Sequence, residues 1–498
     1  MMITAKSLLV TLSLLVAFVP AFPQNDGDDL VIGKYRKLHS SVTNEDRILS
    51  VWLPRSYEET TLSYPVVCVL YGQNTTAYLM PTITACDMLS AGGAVPEMIV
   101  VGLANAERYR DYSSISDGYI ENTVKFFSDE LFPYIDRNYR TTDFRIVIGP
   151  QAGAVFSFYT LIKHPDLFDA YILENPFVGQ NRELLYNMVS EYFNKDIALD
   201  KFLFIKEEKG QDPANIKTAS QFAELMKSKA PAGFRFHFDL EEPSGYFVPP
   251  VPAKEGLLRL FEAYKFPDTL KVEKLDDIKR FYQDAGRKYG SDFPPPEHVL
   301  TIESDKFLSA SKYDEESAVL EYMLSVYPRS LNALMRMGDL KRTLGDYPAA
   351  IKYYDEFLKI RQTDVVSIRN RRNTIEKYMN ESLIYVLEKD IEAKGIDQAI
   401  RNFKKSKASK DNKLTFPEND FNSLGYALLN RGKQAEAIKV FSLALENYPQ
   451  SSNLYDSRGE AYMRSGDKTR AVKNYEKSLE LNPKNENARR VLEQLKGK

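Results

Sequence analysis

Short apolar runs punctuate the first half of the chain at residues 65–70, 98–103, 145–148, 170–173, 202–205 and 234–240. Stretches of helical period separate them, including 124–137 and 219–228. Apolar runs of strand length alternating with helices predict a mostly parallel sheet with helices on both faces. Ahead of these runs, residues 35–42 and 48–53 alternate in character on either side of Thr43-Asn44-Glu45-Asp46. That pattern predicts an antiparallel hairpin at a sheet edge. Helices are expected at 254–264 and 275–289, after which Phe293-Pro294-Pro295-Pro296 breaks the chain. The first half therefore reads as an α/β fold.

Beyond the proline run the period changes. Gly425 matches Gly459, Ala437 matches Ala471, Phe441 matches Tyr475, Ala444 matches Ser478 and Pro449 matches Pro483, all 34 residues apart. Small residues suit the close crossing of two helices, the aromatic fills the groove between them, and the proline stops the second helix. The pattern is similar to the tetratricopeptide repeat and implies an all-α solenoid. A third copy runs over Gly338, Ala350, Tyr354 and Phe357 without its proline, and residues 304–328 resemble a degenerate earlier copy. Residues 365–417 carry further helical material, with Ala399 and Phe403 at repeat positions. The clearest repeats are 331–364, 418–451 and 452–485, and the charged helix at 486–495 suits a solvent-facing cap. The resemblance implies a concave groove lined by Asn422, Tyr426 and Asn430 in one repeat and Asp456, Glu460 and Arg464 in the next. Their mixed charge argues against a dedicated carboxylate clamp. Two readings stay open: a groove for a protein or peptide partner, and a tail that only stabilises the first domain.

The chemistry concentrates at Gly149-Pro150-Gln151-Ala152-Gly153, where a buried strand runs into a tight turn and a helix. This is the setting of the nucleophile elbow, G-x-S-x-G, with the serine at the apex. Here the apex residue is Gln151, and a carboxamide has no hydroxyl or thiol for a base to activate. The backbone apparatus of such a turn does not need the serine. The N–H of Ala152, with one from the loop at Gly72 and Gln73, still suits a carbonyl or carboxylate oxygen. The alternative is a Gln151 that hydrogen-bonds across a filled cleft. Ser157 lies too far along the helix to replace the serine, and Ser113, Ser114 and Ser116 lie in a loop without an evident base.

Around the elbow, residues 30–265 resemble the esterase D type within the α/β-hydrolase superfamily. The likeness rests on Ile32-Gly33-Lys34 with Asn44-Glu45-Asp46-Arg47, the run from Tyr64 to Gly72, Asn105 with Arg108, Arg110 and Asp111, His164-Pro165-Asp166-Leu167-Phe168, and the closing helix from Gly256 to Phe261. It implies a carboxylic ester hydrolase with a serine–histidine–acid triad, and a ligand cleft at Gly72, Gln73, Asn105, Arg108, Asp111, Gln151 and Ala152. Gln151 stands where that family has its serine, and Tyr71 where it usually has aspartate. Its histidine loop corresponds to residues 242–248, which contain Ser244 and Gly245 and no histidine. The four histidines, His39, His164, His237 and His298, fall elsewhere. Glu207, Glu208 and Asp212 are three candidates for the acid position. The expectation is a pseudoenzyme that binds without hydrolysing; the alternative is an active ester hydrolase with an atypical site.

Composition adds little. The 498 residues carry 66 Lys+Arg against 69 Asp+Glu, a net charge of −3, which gives no reason to expect nucleic acid as partner. Lys6, the apolar run 8–19 and Val19-Pro20-Ala21 read as an export signal over 1–21, so the expected location is periplasmic or secreted. That run is shorter than the roughly 20 residues a membrane span needs, so stable membrane insertion is not expected. Cys68 and Cys86 read as buried thiols. With no metal-ligand cluster or phosphate loop in the sequence, no metal or cofactor is expected. The domain layout expected is a signal over 1–21, an esterase-like domain over 30–265, a bridge over 266–296 and repeats over 297–498.

Overall fold

The computed structural model describes residues 32–496 apart from 74, 105, 196–197, 243–250, 362–364 and 410–412. The export signal expected at 1–21 lies outside the described residues. Two compact units divide between Pro328 and Arg329.

The first unit is built on one eight-stranded sheet in the order β1-β2-β4-β3-β5-β6-β7-β8. The strands are β1 (Lys34–Ser40), β2 (Glu45–Trp52), β3 (Tyr64–Val69), β4 (Ile99–Leu103), β5 (Thr141–Pro150), β6 (Ala170–Glu174), β7 (Phe202–Glu208) and β8 (Arg235–Glu241). The β1–β2 hairpin and the β2–β4 pair are antiparallel; every other pairing is parallel. β3 and β4 are buried at every residue, as continuous apolar strands covered on both faces must be. On one face, Val147, Tyr171, Leu173, Leu203 and Ile205 share a core with Phe156, Phe158 and Phe222 from the covering helices. On the other, Ile172 packs so closely on helix Val251–Leu260 that a Cβ at Gly256 would lie 2.8 Å from it.

Two elements run differently from their apolar pattern. β7 continues past Ile205 through Lys206-Glu207-Glu208, because its ladder to β8 runs on to Glu208, with β6 paired as far as Lys206. Lys206 tolerates burial there because its ammonium donates to Glu241 at 2.7 Å and Glu255 at 2.6 Å. The helix expected at 124–137 widens in the middle: Phe126–Leu131 is a π-helix between Tyr119–Lys125 and Phe132–Asn138. Pro133 has no N–H to return to the preceding turn, which favours such a local rearrangement.

The bridging helix Leu275–Tyr289 is welded on by aromatic rings. Tyr289 meets Phe261 at 5.0 Å and Tyr282 meets Tyr264 at 5.1 Å, with Phe144 and Phe293 alongside. The Tyr289 hydroxyl donates to Leu260 O at 3.0 Å. Helices Glu297–Ser309 and Tyr313–Val326, read from sequence as the start of the repeats, fall within this first unit.

Among the described residues of the second unit, helices are the main elements, with one isolated parallel bridge between Ser382 and Thr415. Helix pairs 331–343/347–360, 383–394/396–408, 418–430/434–447 and 452–464/468–481 follow one another, with Val366–Glu381 inserted after the first pair. Ala399, Phe403, Ala437 and Phe441 lie in one buried core. The repeat glycines mark where helices touch: a Cβ at Gly425 would sit 2.3 Å from the Phe441 ring.

Candidate elbow site

Gln151 occupies the turn between β5 and helix Gly153–Lys163 with φ of 49°, a left-handed backbone rare for a side-chain-bearing residue. Its N–H donates to Glu174 O at 2.9 Å, and its carbonyl accepts from Ala154 N at 3.1 Å and Phe177 N at 3.0 Å. The backbone is thus fixed from both sides while the side chain is exposed. The sharpness of the turn explains its glycines. A Cβ on Gly149 would lie 2.5 Å from Ser157 Oγ and 2.9 Å from Gly153 O. Ser157 itself is buried and donates to Gly153 O at 3.0 Å.

Ala152 is the N-cap residue of the helix and is buried; among the described residues no carbonyl accepts its N–H. Gly72 follows β3, where a Cβ would lie 2.6 Å from the Gly102–Leu103 backbone. Gln73 is exposed, and its side-chain amide points to Ala106 O at 3.4 Å. Behind this loop, Tyr71 stacks on Tyr112, whose hydroxyl donates to Leu70 O at 2.5 Å.

Asp111 does not line an open cleft. It is buried, bonded to Arg47 Nη1 at 2.7 Å, Arg110 Nε at 2.8 Å and the Glu107 N–H at 2.9 Å. Burial opposes its ionisation, but the two guanidinium groups hold its carboxyl below the usual range. Arg110 also grips Glu45 at 2.7 and 2.9 Å, so this cluster ties helix Arg108–Ser113 to the edge hairpin. Arg108 opens that helix; Asn105, Ser244 and Gly245 lie outside the described residues.

Each histidine has its own surroundings. His39 bonds Asp46 at 3.0 Å within the hairpin, and His164 bonds Glu121 at 3.1 Å. His237 lies on β8 over the Phe202 ring, where burial lowers its pKa. His298 lies beside Gly93 in helix Glu297–Ser309. Of the acid candidates, Asp212 caps helix Pro213–Lys229 by accepting from Ala214 N at 2.7 Å. The Glu208 N–H donates to Asn175 Oδ1 at 3.0 Å. Glu207 is wholly buried, and neither of its carboxylate oxygens has a hydrogen-bond partner. Glu174, at the end of β6 beside the elbow, is a further acid of this edge, its carboxyl pushed up to about 7 by burial and by Glu208. The polar residue closing an apolar strand was its only signal. Asp239, Glu241 and Glu255 also converge, but each is already paired with a cation, Glu241 and Glu255 with Lys206 and Asp239 with Arg259.

In the second unit the expected groove residues bond to one another and to their neighbours. Tyr426 OH donates to Glu460 at 2.9 Å, and Glu460 pairs with Arg464 at 2.6 Å. Asp456 accepts from Asn485 and Asn487, each at 3.0 Å. Asn422 and Asn430 are half-buried on the same helix as Tyr426.

An eight-stranded sheet of this order, with a left-handed turn between its central strand and a helix, defines an esterase-like α/β-hydrolase fold. Residues 40–208 match the family described as Putative esterase, and residues 331–364, 423–451 and 452–485 match tetratricopeptide repeat families. The chain therefore carries an esterase-family domain followed by tetratricopeptide repeats. Among solved structures it is similar to an IroE-like serine hydrolase from Shewanella oneidensis, at 19% identity over 58% of this chain and 98% of that one, TM-score 0.49. It is also similar to a protein from Capnocytophaga ochracea DSM 7271, at 18% identity over 69% of this chain and 99% of that one, TM-score 0.46. A siderophore hydrolase EstB from Aspergillus nidulans is 16% identical over 51% of this chain and 100% of its own, TM-score 0.40. No curated protein sequence matches the chain.

Proposed function

We propose that this is an exported esterase-fold protein that binds through its elbow cleft and its repeats, and does not hydrolyse esters by a serine–histidine triad. The observation that carries the reading is Gln151 at the apex of an otherwise well-formed elbow. A side chain that cannot attack a carbonyl immediately precedes an Ala152 N–H suited to hold one. The ligand of the cleft is then a small carbonyl or carboxylate compound, and the repeats take a protein or peptide partner. Export rests on the apolar leader sequence alone. Among the described residues no helix is long and apolar enough to cross a membrane.

Short-chain aryl esters test this directly. The full chain should turn them over at the buffer rate, with no effect of a serine-directed organophosphate. The single change Gln151→Ser should stay near that rate, because it restores a nucleophile without its base. Turnover abolished by the organophosphate would establish the second reading, an active ester hydrolase, which the intact turn favours. For the repeats, deleting 421–498 should abolish partner capture and Gln151→Ala should leave it unchanged.

A further inference from the structure

Gln151, Asn175 and Glu207 form one row across the C-terminal edge of β5, β6 and β7. Pro150 is level with Glu174, and Glu174 with Lys206; these are the last pairs of their ladders, and Gln151, Asn175 and Glu207 are the next residues along each chain segment. The closing bonds of the two ladders run from Gln151 N to Glu174 O at 2.9 Å and from Asn175 N to Lys206 O at 2.8 Å. Glu207 is still within β7 and shares the face of Ile205 two positions before it, whereas Gln151 and Asn175 are the turn residues that follow β5 and β6. Leu173 and Ile205, two positions before Asn175 and Glu207, lie in the core beneath helix Gly153–Lys163. Gly149, two before Gln151, abuts that helix at Ser157 and Gly153. Asn175 repeats the left-handed turn of Gln151, with φ of 45°.

The two ends of the row are chemically opposite. At one end the Ala152 N–H meets no carbonyl among the described residues. At the other, Glu207 is a fully buried carboxyl whose oxygens accept no hydrogen bond. The adjacent Glu208 N–H is committed to Asn175 Oδ1. No lysine, arginine or histidine pairs with Glu207 among the described residues, and burial pushes its carboxyl up to about 7. A buried acceptor left without a donor is costly, more so when charged. Its position at the sheet edge that carries the elbow gives that cost a use: a ligand that supplies the donor recovers it.

We propose that this edge binds a short compound bearing both a free amine and a carbonyl or carboxylate, with the oxygen on the Ala152 N–H and the ammonium on Glu207. The proposal rests on the reading of the elbow as a binding site and names the class of ligand. Two strand spacings separate the ends, about 10 Å. An extended tripeptide, at about 3.4 Å per residue, has that length.

Thermal unfolding of the full chain with millimolar triglycine and N-acetyltriglycine tests it. Triglycine should raise Tm by about 2 °C or more, as a ligand well above its Kd does. N-acetyltriglycine, without the ammonium, should bind at least tenfold more weakly. Glu207→Gln, nearly isosteric, should erase the difference between the free and acetylated peptides. If that variant fails to fold, the comparison of the two peptides on the unaltered chain decides alone. No shift with triglycine, or equal shifts with both peptides, overturns the proposal. Aryl-ester turnover on the same preparation reports on the elbow separately: turnover with a triglycine-selective shift sinks the binding-only reading and keeps this one, whereas neither turnover nor shift sinks only this one.

Discussion

At the scale of single residues, the elbow stores strain that substitution can release or worsen. Gln151 holds a left-handed φ of 49°, which costs a residue with a Cβ roughly 1–2 kcal/mol. Glycine removes that cost but gives back part of it as unfolded-chain entropy, so Gln151→Gly should stabilise by about 0.5–1 kcal/mol in urea melts. Gly149→Ala should destabilise by about 1–3 kcal/mol, because its Cβ would strike Ser157 and the backbone of Gly153. The buried carboxyls make a second residue-scale prediction. Glu174 and Glu207 each titrate near 7 in the folded chain against an ordinary value of 4.5. Between those values the folded state binds more protons than the unfolded state, so these groups make stability fall as pH rises from 4.5 to 7 and level off above. Glu207→Gln should flatten its share of that fall, leaving Tm higher than that of the unaltered chain at pH 8 and little changed at pH 4.5. An unchanged difference between the two chains across that range would refute the assignment. The apex position itself was readable from the spacing of Gly149 and Gly153. The orphan state of Glu207 was not, because which of Glu207, Glu208 and Asp212 is buried depends on where the β7 ladder ends.

At the scale of elements, apolar runs located the strands, and hydrogen-bond ladders set their ends. β7 outlasts its apolar pattern by three charged residues because β8 continues beside it to Glu208, while β6 ends opposite Lys206. The segment around Phe126 was legible as helical, but its π-turns come from the effect of Pro133 on a single turn, which periodicity does not report. Asp111 was legible as part of a motif and not as the centre of an ion cluster, since Arg47 reaches it from a distant hairpin. Packing of the bridging helix yields a prediction at this scale. Tyr289 is buried among Phe144, Phe261 and Phe293 and also donates to Leu260 O. Tyr289→Ala should therefore destabilise the first unit by about 3–5 kcal/mol, as large aromatic truncations do. Tyr289→Phe should cost only about 1 kcal/mol, the hydrogen bond alone. Equal effects of the two would show that the rings contribute little.

At the scale of the whole molecule, each unit closes a core from its own residues. The first gathers apolar residues from Leu49 to Met226 over its sheet, and the second gathers Leu383 to Ala461 between paired helices. The 34-residue period announced the second core, because each repeat glycine faces an aromatic sixteen positions later: Gly425 meets Phe441 and Gly459 meets Tyr475. Helices 297–309 and 313–326 have the look of a repeat and yet fall on the other side of the division, since Tyr327 donates to Pro295 O and closes that pair onto the first unit's own chain. Solenoids gain stability from neighbouring repeats rather than from distant parts of the chain. Residues 329–498, expressed alone, should therefore be helical by far-ultraviolet circular dichroism and melt in one cooperative transition. Gly425→Ala in that fragment should lower its stability by about 1–3 kcal/mol, because the new Cβ would fall 2.3 Å from Phe441. A fragment that lacks helicity, or melts without cooperativity, would mean that the second core is completed by residues before 329 and that the division at Pro328 is not a folding boundary.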